Sequence, residues 1–499
     1  MEAPLLRGGN MRRLLMSSAL AGMAVAQSPY SIDTREDILQ SARTLAYDMM
    51  LFYKGNETGQ VPGVLPGPPA SGTGDYYWWQ GGAMMAAYLD YWYWTGDDSY
   101  NQVVYEGMLH QVGENQNYEP LNHTASLGND DQGFWGMTAM LAAELGFQDP
   151  PEGQPQWLAL AQAVWNRMAL PERHDEYCNG GMRWQIPPLN PGYNYKNTIA
   201  NACFFNIGAR LARYLGNDTY MEWAEDTWDW LWGVNYIDHD NWRVYDGAGI
   251  EENCTKIVKV TYSYNIGSLL QGAAFLYNYT NGSEVWRERV DGLSERIMTD
   301  FFPNNTAYEV SCEPRPGTCT ADMIMFKGFI HRWLPTVAQL APFTAERIMP
   351  VLRDSTEAAI KQCTAGASGR VCGFFWSSGE FIPMPENSVG RTTGAGEALN
   401  VLSAVTGLLM GEEKELLTGN TGGTSQGDNN AGHGESYDRV FKELSTGDRA
   451  GAGIVTAIVS LGALALFAWM SWPVKEEVEF EPPPPSGTER PRPVSTVKA

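Results

Sequence analysis

Helical patterns dominate the chain from about residue 35 to residue 410. In TYMEWAEDTWDWLWG, apolar and small residues recur at i, i+3, i+4 and i+7 from Tyr220 to Leu231, and acids occupy the opposite face. The segment from Trp286 to Ile297 repeats this arrangement. Long alternations typical of β-strands are scarce, so the pattern predicts an all-α body with amphipathic helices.

A weak internal repeat groups these helices into pairs. YYWWQGGAMMAAYLDYWYWTGDDSY, KNTIANACFFNIGARLARYLGNDTYMEWA and YSYNIGSLLQGAAFLYNYTNGSEVWRERV each lead into a small-residue helix, a short turn and a more polar helix. Comparable starts near Asp130, Lys327 and Thr393 give a spacing of roughly 50 to 70 residues, which suits one helical hairpin per repeat. Six hairpins predict a closed (α/α)6 barrel over residues 28–411. An open α-solenoid is the alternative, but its repeats should be shorter and more regular.

Two apolar runs lie outside this body. Arg12 and Arg13 precede the run 14–26, which ends in small residues, and this pattern predicts a cleaved secretory signal at 1–27. An uncleaved anchor is the alternative. Residues 451–472 are uncharged and long enough to cross a bilayer, so we expect a transmembrane or anchor segment there. A Gly- and Asn-rich linker at 412–450 and a Pro-rich acidic tail at 473–499 are expected to be disordered.

The charge and the sequons indicate a secreted protein that does not bind nucleic acid. Acidic residues number 58 against 34 basic ones, giving a net charge of −24, whereas a phosphate-binding surface needs clustered Lys and Arg. Seven N-x-S/T sequons would have no use in a cytosolic protein. The predicted glycosylation sites are Asn56, Asn122, Asn217, Asn253, Asn278, Asn281 and Asn304.

Seven cysteines in an oxidising compartment predict disulfide bridges. Two pairs are close in sequence and would close Pro- or Gly-rich loops, and a third pair lies in two predicted loops. Cys203 falls within a helical pattern, so we expect a buried free thiol there. No Cys or His spacing suggests a structural metal. The predicted pairs are Cys312–Cys319, Cys363–Cys372 and Cys178–Cys254.

The adjacent acids Asp130 and Asp131, in SLGNDDQGFWGMTAMLAAE, are the main candidates for chemistry. Gly128 and Asn129 are turn and cap residues, so both acids are expected in the first turn of the next helix. Acids there also complement the helix dipole and cap free N–H groups, which is a sufficient structural explanation. Adjacent side chains point in different directions, however, and carboxyls about 5 Å apart would suit a retaining glycosidase. Trp135 is a candidate face for stacking a sugar.

Five segments carry a family resemblance: LGNDDQGFWGMTAMLAAE, WWQGGAMM, RWQI, GYNYKNTIANACFF and YSYNIGSLLQGAAFLYNYTNG. They resemble glycoside hydrolase family 76, and within it the fungal Dfg5/Dcw1 branch, described as mannan endo-1,6-α-mannosidases. The likeness covers about residues 33–410. It implies an (α/α)6 barrel that cleaves α-1,6-linked mannose with retention, using Asp130 as nucleophile and Asp131 as general acid/base, without metal or organic cofactor. In the fungal branch it further implies transfer of glycosylphosphatidylinositol (GPI)-anchored wall proteins, through the mannose core of the anchor, to an acceptor in wall β-glucan.

Further substrate-binding candidates lie at the predicted starts of inner helices and in the loop CNGGMRWQI. Helix starts of a barrel share one mouth, where side chains would meet a sugar. Buried packing or helix capping explains most of these residues about equally well. The candidates are Trp78, Trp79, Gln80, Asn129, Trp135, Arg183, Trp184, Asn197, Tyr264, Asn265 and Lys327.

The predicted mode of membrane attachment and the predicted activity each have an alternative. Fungal members of the branch are commonly GPI-anchored through an apolar segment at the extreme C-terminus, whereas here 27 residues, 473–499, follow that segment. A single-pass span is therefore favoured over GPI attachment, with the body at the outer face of the plasma membrane or in the cell wall. A non-catalytic glycan-binding tether and an inverting α-glycosidase are the alternative functions.

Overall fold

The computed structural model describes residues 28–72, 74–315, 317–385, 394–410, 414–432 and 446–471. The predicted signal peptide and Pro-rich tail lie outside these residues. The described part contains thirteen α-helices, and the helix-rich prediction is confirmed. They are α1 Arg35–Met50, α2 Trp78–Thr95, α3 Asn101–His110, α4 Asn129–Glu144, α5 Trp157–Met168, α6 Thr198–Leu215, α7 Asp218–Gly233, α8 Ser263–Tyr279, α9 Glu284–Phe301, α10 Phe326–Leu340, α11 Ala345–Lys361, α12 Ala395–Gly407 and α13 Thr446–Met470.

Six inner helices form a ring. Each of α2, α4, α6, α8, α10 and α12 contacts the next, and α12 returns to contact α2. The other helices of the body pack outside, with α5 on α4, α7 on α6 and α9 on α8. This order of contacts is the one expected of an (α/α)6 barrel. Residues at the starts of α2, α4, α6, α8 and α10 line one cavity, so these five helices begin at the same end of the ring.

Burial separates the two kinds of helix. Every residue of α12 is buried, whereas α7 buries Tyr220, Ala224, Thr227, Trp228 and Leu231, as its periodic pattern predicts. Small residues let the inner helices approach closely. A Cβ on Gly272 in α8 would lie 2.5 Å from Cε1 of Phe205 in α6, so only glycine fits at this crossing.

A small antiparallel sheet lies in the loops at the helix-start end. Its strands are β1 Tyr195–Asn197, β2 Gly247–Gly249 and β3 Ile257–Val258, in the order β1-β2-β3. Asn197 pairs with Gly247, and β1 runs directly into α6. The all-α prediction did not include this sheet, because strands of two or three residues are too short to show an alternating pattern.

The prediction of a disordered linker is wrong for residues 414–432, which pack on the body. Leu416 is 4% exposed, and the Ser425 hydroxyl accepts a hydrogen bond from the backbone N–H of Leu158 in α5 at 3.0 Å. Asn166 Nδ2 donates to the carbonyl of Ala431 at 2.9 Å. Composition concealed this packing, because hydrogen bonds and one leucine hold the segment rather than an apolar run. The predicted domain boundary at 411 is therefore too early, and the body extends at least to residue 432.

The chain divides into two compact units, the helical body and a second unit that contains α13. Its stretch Gly453–Met470 has a mean hydropathy of 2.1 and is not buried, so it is long and apolar enough to cross a membrane. This agrees with the predicted membrane or anchor segment.

The structure contains the predicted disulfide bridges and exposes the predicted glycosylation sites. Cys178–Cys254, Cys312–Cys319 and Cys363–Cys372 are bonded, and Cys203 is a buried free thiol, as predicted. All seven sequon asparagines are exposed. Their occupancy by glycans stays a prediction.

Candidate active site

A cavity of about 620 Å³ opens at the end of the ring where the inner helices begin. Its walls come from the first turns of α2, α4, α8 and α10, from the small sheet and from the loop before α10. The volume lies within the usual range for small-molecule sites. Four carboxylates share this one cavity: Asp130, Asp131, Asp246 and Asp322.

Asp130 and Asp131 lie in the first turn of α4, as predicted, and both face the cavity. Asp131 Oδ2 accepts a hydrogen bond from the N–H of the N-cap residue Gly128 at 2.7 Å. Asp130 Oδ1 accepts from the backbone N–H of Asp131 at 2.9 Å, and its Oδ2 lies 3.4 Å from Asn197 Nδ2. Asp131 therefore caps the start of α4, the structural role that acids at a helix start usually have. Both acids also line the cavity.

Both acids lie close against Gly128. A Cβ at this residue would lie 2.3 Å from Asp130 Oδ1 and 2.8 Å from Asp131 Oδ2. Two atoms that close to one point are within roughly 5 Å of each other, which is the spacing of a retaining pair rather than the wider spacing of an inverting pair. The backbone angles at Gly128, φ −96° and ψ 161°, suit any residue, so a side chain here would conflict only with the position of the carboxyls.

Burial raises the pKa of both acids. The pKa of Asp130 rises to about 7, chiefly because the carboxyl is withdrawn from water. The pKa of Asp131 rises well above its ordinary value, first through burial and then through the negative charge of Asp130. Two acids this close share one proton over a wide pH range. The extra charge effect at Asp131 favours the proton there and leaves Asp130 ionised.

The positions of the acids are fixed by a neighbouring loop. Asn129 donates its backbone N–H to the Trp184 carbonyl at 2.8 Å and its Nδ2 to the Arg183 carbonyl at 2.8 Å. Gly128 forms a β-bridge with Gln185. The guanidinium of Arg173 donates to Asn129 Oδ1 at 2.5 Å. The start of α4 is therefore bonded to residues 183–185 before any ligand arrives.

Asp246 and Asp322 complete the acidic set, and sequence reasoning missed both. Asp246 directly precedes β2 and accepts from the Tyr195 hydroxyl at 2.8 Å and from Asn265 Nδ2 at 3.4 Å. Asp322 accepts from the Trp79 indole N–H at 3.1 Å. Burial raises the pKa of each. Asp322 lies four residues before an inner helix, close to a helix start like the acid pair, so its position in the sequence could have indicated it. No comparable feature of the sequence indicated Asp246.

Aromatic rings line much of the cavity. Trp79 packs on Phe134 with ring centroids 4.7 Å apart, and Tyr264 stacks on Phe326 at 3.9 Å. Flat apolar faces beside carboxylates and an amide are the usual composition of a sugar site, because pyranose rings have both C–H faces and hydroxyl edges. The arrangement fits an uncharged or cationic glycan.

Comparison with known proteins agrees with this chemistry. The profile of glycosyl hydrolase family 76 matches residues 37–420. The chain belongs to glycosyl hydrolase family 76. It is 40% identical to the mannan endo-1,6-alpha-mannosidase DCW1 of Saccharomyces cerevisiae, over 88% of this chain and 94% of that protein. It is 37% identical to DFG5 of the same yeast, which carries the same activity name, over 92% of this chain and 98% of the relative.

Solved structures of family 76 proteins share the fold. Dfg5 from Chaetomium thermophilum, crystallised in complex with glucosamine, is 61% identical, with a TM-score of 0.80 over 82% of this chain and 98% of that one. An inactive α-1,6-mannanase variant of Salegentibacter, in which two consecutive aspartates are asparagine, was solved with α-1,6-mannotriose. It is 16% identical, with a TM-score of 0.58 over 74% of this chain and 99% of that one, and the likeness shows the fold alone.

Six of the predicted site residues line the cavity of this family 76 protein. The catalytic and binding roles assigned to them stay predictions, but the structure places them around one space. They are Trp79, Asp130, Asp131, Trp184, Asn197 and Tyr264.

Three aromatic or amide candidates at helix starts are core residues instead. Trp135 is fully buried and stacks on Tyr118 with centroids 5.3 Å apart, so it presents no face to a sugar. Trp78 donates its indole N–H to Gln111 at 2.7 Å. Gln80 donates Nε2 to the Ala321 carbonyl at 2.9 Å. None of the three lines the cavity, because these helices are buried on all sides and half of each first turn faces its neighbours.

Lys327, predicted to bind substrate, is buried outside the cavity lining and paired with an acid. Its ammonium lies 2.7 Å from Glu313 and donates to the Phe374 carbonyl at 2.6 Å. Burial lowers the pKa of Lys327, and the Glu313 charge opposes that shift. The pair joins the loop before α10 to the helix itself.

The remaining candidates lie outside the cavity lining and bond to residues that line it or to their neighbours. Asn129 fixes the acid pair, and Asn265 orients Asp246. Arg183 is buried and donates to Asp175 at 2.5 Å and to the Tyr193 carbonyl at 3.0 Å. None of these residues lines the cavity, and their contacts are those of positioning residues. Their predicted part in substrate binding stays a prediction.

Proposed function

We propose that this protein is a retaining, endo-acting α-1,6-mannosidase and transglycosylase of the fungal cell wall, built on an (α/α)6 barrel. The observation that carries the proposal is the pair Asp130 and Asp131, held within roughly 5 Å at the base of one cavity. Its relatives over nearly their whole lengths are named mannan endo-1,6-alpha-mannosidases. The spacing disfavours an inverting mechanism, which needs room for a water between the acids.

In the first step, the ionised carboxylate of Asp130 attacks the anomeric carbon of a mannose. The bond from that carbon to the leaving O6 breaks as Asp131 donates its proton to O6. The product is a mannosyl ester on Asp130 with inverted configuration. The raised pKa of Asp131 supports the proton there at the start of the cycle.

In the second step, Asp131 is a carboxylate and takes a proton from the acceptor hydroxyl. The acceptor oxygen attacks the anomeric carbon, the ester bond to Asp130 breaks, and the original α configuration is restored. Water as acceptor gives hydrolysis, whereas a glucan hydroxyl gives a new glycosidic bond. Both acids end the cycle in their starting protonation states.

The mannose core of a GPI anchor suits the cavity as donor. Asp246 and Asp322 add negative charge beside the catalytic pair, and such a site favours a protonated amine over an anion. The Chaetomium Dfg5 structure holds glucosamine, an amino sugar, and this supports a donor that carries such a sugar. The wall protein attached to the core would then pass to β-glucan.

The apolar stretch Gly453–Met470 would keep the enzyme at the membrane from which GPI proteins are taken. A single-pass span, with the body outside, is the proposed attachment. Resistance of the cell-bound protein to phosphatidylinositol-specific phospholipase C would support it, and release by that enzyme would show a GPI anchor instead.

The experiment that tests the proposal uses the full-length protein in detergent with α-1,6-mannotetraose, with and without a β-1,3-glucan oligosaccharide. Asp130→Asn and Asp131→Asn are compared with Asp229→Asn, a matched change on an exposed outer helix. We expect retention of configuration in the first product, glucan-linked mannose in wild type and in the control, and a loss of at least about 1000-fold in both active-site variants.

Azide separates the roles of the two acids. With an activated mannosyl donor, Asp131→Ala plus azide should yield the α-mannosyl azide by way of the Asp130 ester. Asp130→Ala plus azide should yield the β-mannosyl azide by direct attack. The same azide anomer from both variants would overturn the assignment. Binding of mannotetraose without turnover by the wild type would identify the glycan-binding tether.

A further inference from the structure

A largely buried ion cluster lies behind the first turn of α4. Glu119 Oε1 accepts from Arg173 at 2.6 Å, and the same carboxylate accepts from Arg167 on α5 at 3.2 and 3.4 Å. The side chains of Glu119, Arg167 and Arg173 are 16%, 19% and 8% exposed. Burial tends to raise the pKa of Glu119, but the charges of the two arginines outweigh it and hold that pKa below its ordinary value. None of the three is among the described residues that line the cavity.

The cluster bonds to the two residues that flank the acid pair in sequence. Arg173 donates from Nη1 to Asn129 Oδ1, and Gln132 Nε2 donates to Glu119 Oε1 at 2.9 Å. Asn129 and Gln132 are both buried, and residues three apart share one face of a helix. The two acids between them point from the opposite face into the cavity. The cluster therefore holds the side of the first turn that lies away from the cavity.

The bonds at Gln132 add what the loop 183–185 does not supply. That loop bonds to residues 128 and 129, which precede the acid pair. Gln132 follows the pair, and besides Glu119 it donates to the Asn117 carbonyl at 2.8 Å. The acid pair is thus fixed on both sides in sequence, by the loop and Arg173 before it and by Glu119 after it.

We propose that Glu119 and Arg173 are positioning residues of the acid pair. They act through Gln132 and Asn129, and so keep the two carboxyls at the short spacing that a retaining reaction needs. This rests on the proposed function, in which the acid pair performs the reaction. Misplacement of a reacting group by about 1 Å costs about 100-fold in rate, so loss of these bonds should appear in kcat.

The opposite end of the same helix provides a matched control. Glu144, the last residue of α4, forms a buried ion pair with Arg210, whose Nη2 lies 2.6 Å from Oε2. The Glu144 side chain is 1% exposed, so loss of its charge should destabilise the protein at least as much as the same loss at Glu119. At 1.5 Å per residue along a helix, Glu144 lies about 20 Å from the acid pair.

The test measures kcat and KM on α-1,6-mannotetraose, and the Tm, of the full-length protein in detergent, with kinetics well below every Tm. Glu119→Gln is compared with Glu144→Gln, the same change at the other end of α4. We expect Glu119→Gln to lower kcat by at least about tenfold and to change KM by less than about threefold. Glu144→Gln should lower the Tm at least as far and keep kcat within about twofold of wild type.

A second comparison keeps every charge in place. Lysine retains the positive charge of arginine but lacks the planar fork that bonds two acceptors at once. Arg173 uses its fork to join Glu119 to Asn129, whereas Arg167 makes no hydrogen bond to the first turn of α4 in the described part of the chain. Arg173→Lys should therefore lower kcat at least about fivefold more than Arg167→Lys does. This pair of variants decides the question if Glu119→Gln does not fold.

Three outcomes would overturn the inference. They are equal losses of kcat in Glu119→Gln and Glu144→Gln, a rise in KM with kcat unchanged in Glu119→Gln, and a kcat in Arg173→Lys no lower than in Arg167→Lys. Each leaves the proposed function intact if the two asparagine variants of the acid pair are inactive in the same assay. If those two variants keep turnover, the acid pair does not perform the reaction, and the proposed function fails together with the positioning role.

Discussion

Replacing Gly128 by alanine would test whether the catalytic geometry depends on a single missing methyl group. The backbone at Gly128 is extended, so alanine brings no conformational strain. Its Cβ would meet Asp130 Oδ1 at 2.3 Å and Asp131 Oδ2 at 2.8 Å, distances that real Cβ atoms do not show. The carboxyls are ends of side chains beside an open cavity, so they should turn away rather than force the backbone apart.

The expected size of the effect follows from that displacement. Asp130 Oδ1 must withdraw by roughly 1 Å to reach an ordinary contact, and misplacement of a reacting group by this amount costs about 100-fold in rate. The stability cost is smaller. An alanine at a helix N-cap lowers the free energy of unfolding by about 1 kcal/mol relative to a preferred cap residue. Activity should therefore fall far more than stability.

The assay is kcat/KM on α-1,6-mannotetraose beside the Tm of each variant. Gly233→Ala is the matched control, because a Cβ at Gly233 meets nothing within 4 Å and the residue ends an outer helix. It should keep both activity and Tm. If Gly128→Ala retains more than half of the wild-type kcat/KM, the carboxyls are not confined as argued. A collapse of its Tm by more than about 10 °C would instead show that the acids cannot move aside.

Three further predictions concern stability. Because burial raises the pKa of Asp130 to about 7 and that of Asp131 well above its ordinary value, the folded protein binds protons more tightly than the unfolded chain. This stabilisation is complete below about pH 4, and the part due to Asp130 is lost as the pH rises through about 7. Asp131→Asn should hence raise the Tm at about pH 7.5 and not at about pH 4, and an equal gain at both values would contradict the pKa argument. Lys327→Met leaves the buried Glu313 carboxylate without its cation and should lower the free energy of unfolding, measured by urea denaturation, by about 3 kcal/mol. Lys361→Met, which breaks an exposed ion pair with Glu357, is the control. Ending the chain after residue 411 should lower the Tm relative to ending it after residue 435, because only the shorter form loses the contacts of Leu416 and Ser425; equal Tm values would show that the segment 414–432 contributes nothing.

Periodicity predicted the outer helices well and the inner side chains poorly, for one physical reason. An outer helix such as α7 has a solvent face, so the spacing of Tyr220 to Leu231 reveals which side is buried. An inner helix is buried all round, and its sequence contains no polar stripe to orient it. Trp79 and Trp135 were therefore equal candidates in the sequence, although one lines the cavity and the other lies in the core.

The acid pair was found because its signal is local, whereas Asp246 depends on distant pairing. Gly128 and Asn129 are turn and cap residues that indicate the start of a helix, and the two acids are the next two residues. Asp246 reaches the cavity only because β2 pairs with β1, which leads into α6 some 50 residues earlier. The surroundings of Lys327 were also not predicted, because its ion-pair partner Glu313 lies in the preceding loop and only the fold brings the two together.

One positional rule nevertheless unites the residues that do meet in the cavity. In a ring whose inner helices all run the same way, every helix start lies at one end, so polar residues at those starts converge whatever their separation in sequence. Asp130 and Asp131 at α4, Asn197 at α6 and Tyr264 at α8 follow this rule. Asp322, four residues before α10, follows it too. If the rule covers the few residues before each inner helix as well as its first turn, it identifies Asp322 as a cavity residue. Of the four carboxylates that line the cavity, Asp246 is then the one whose position only the sheet explains.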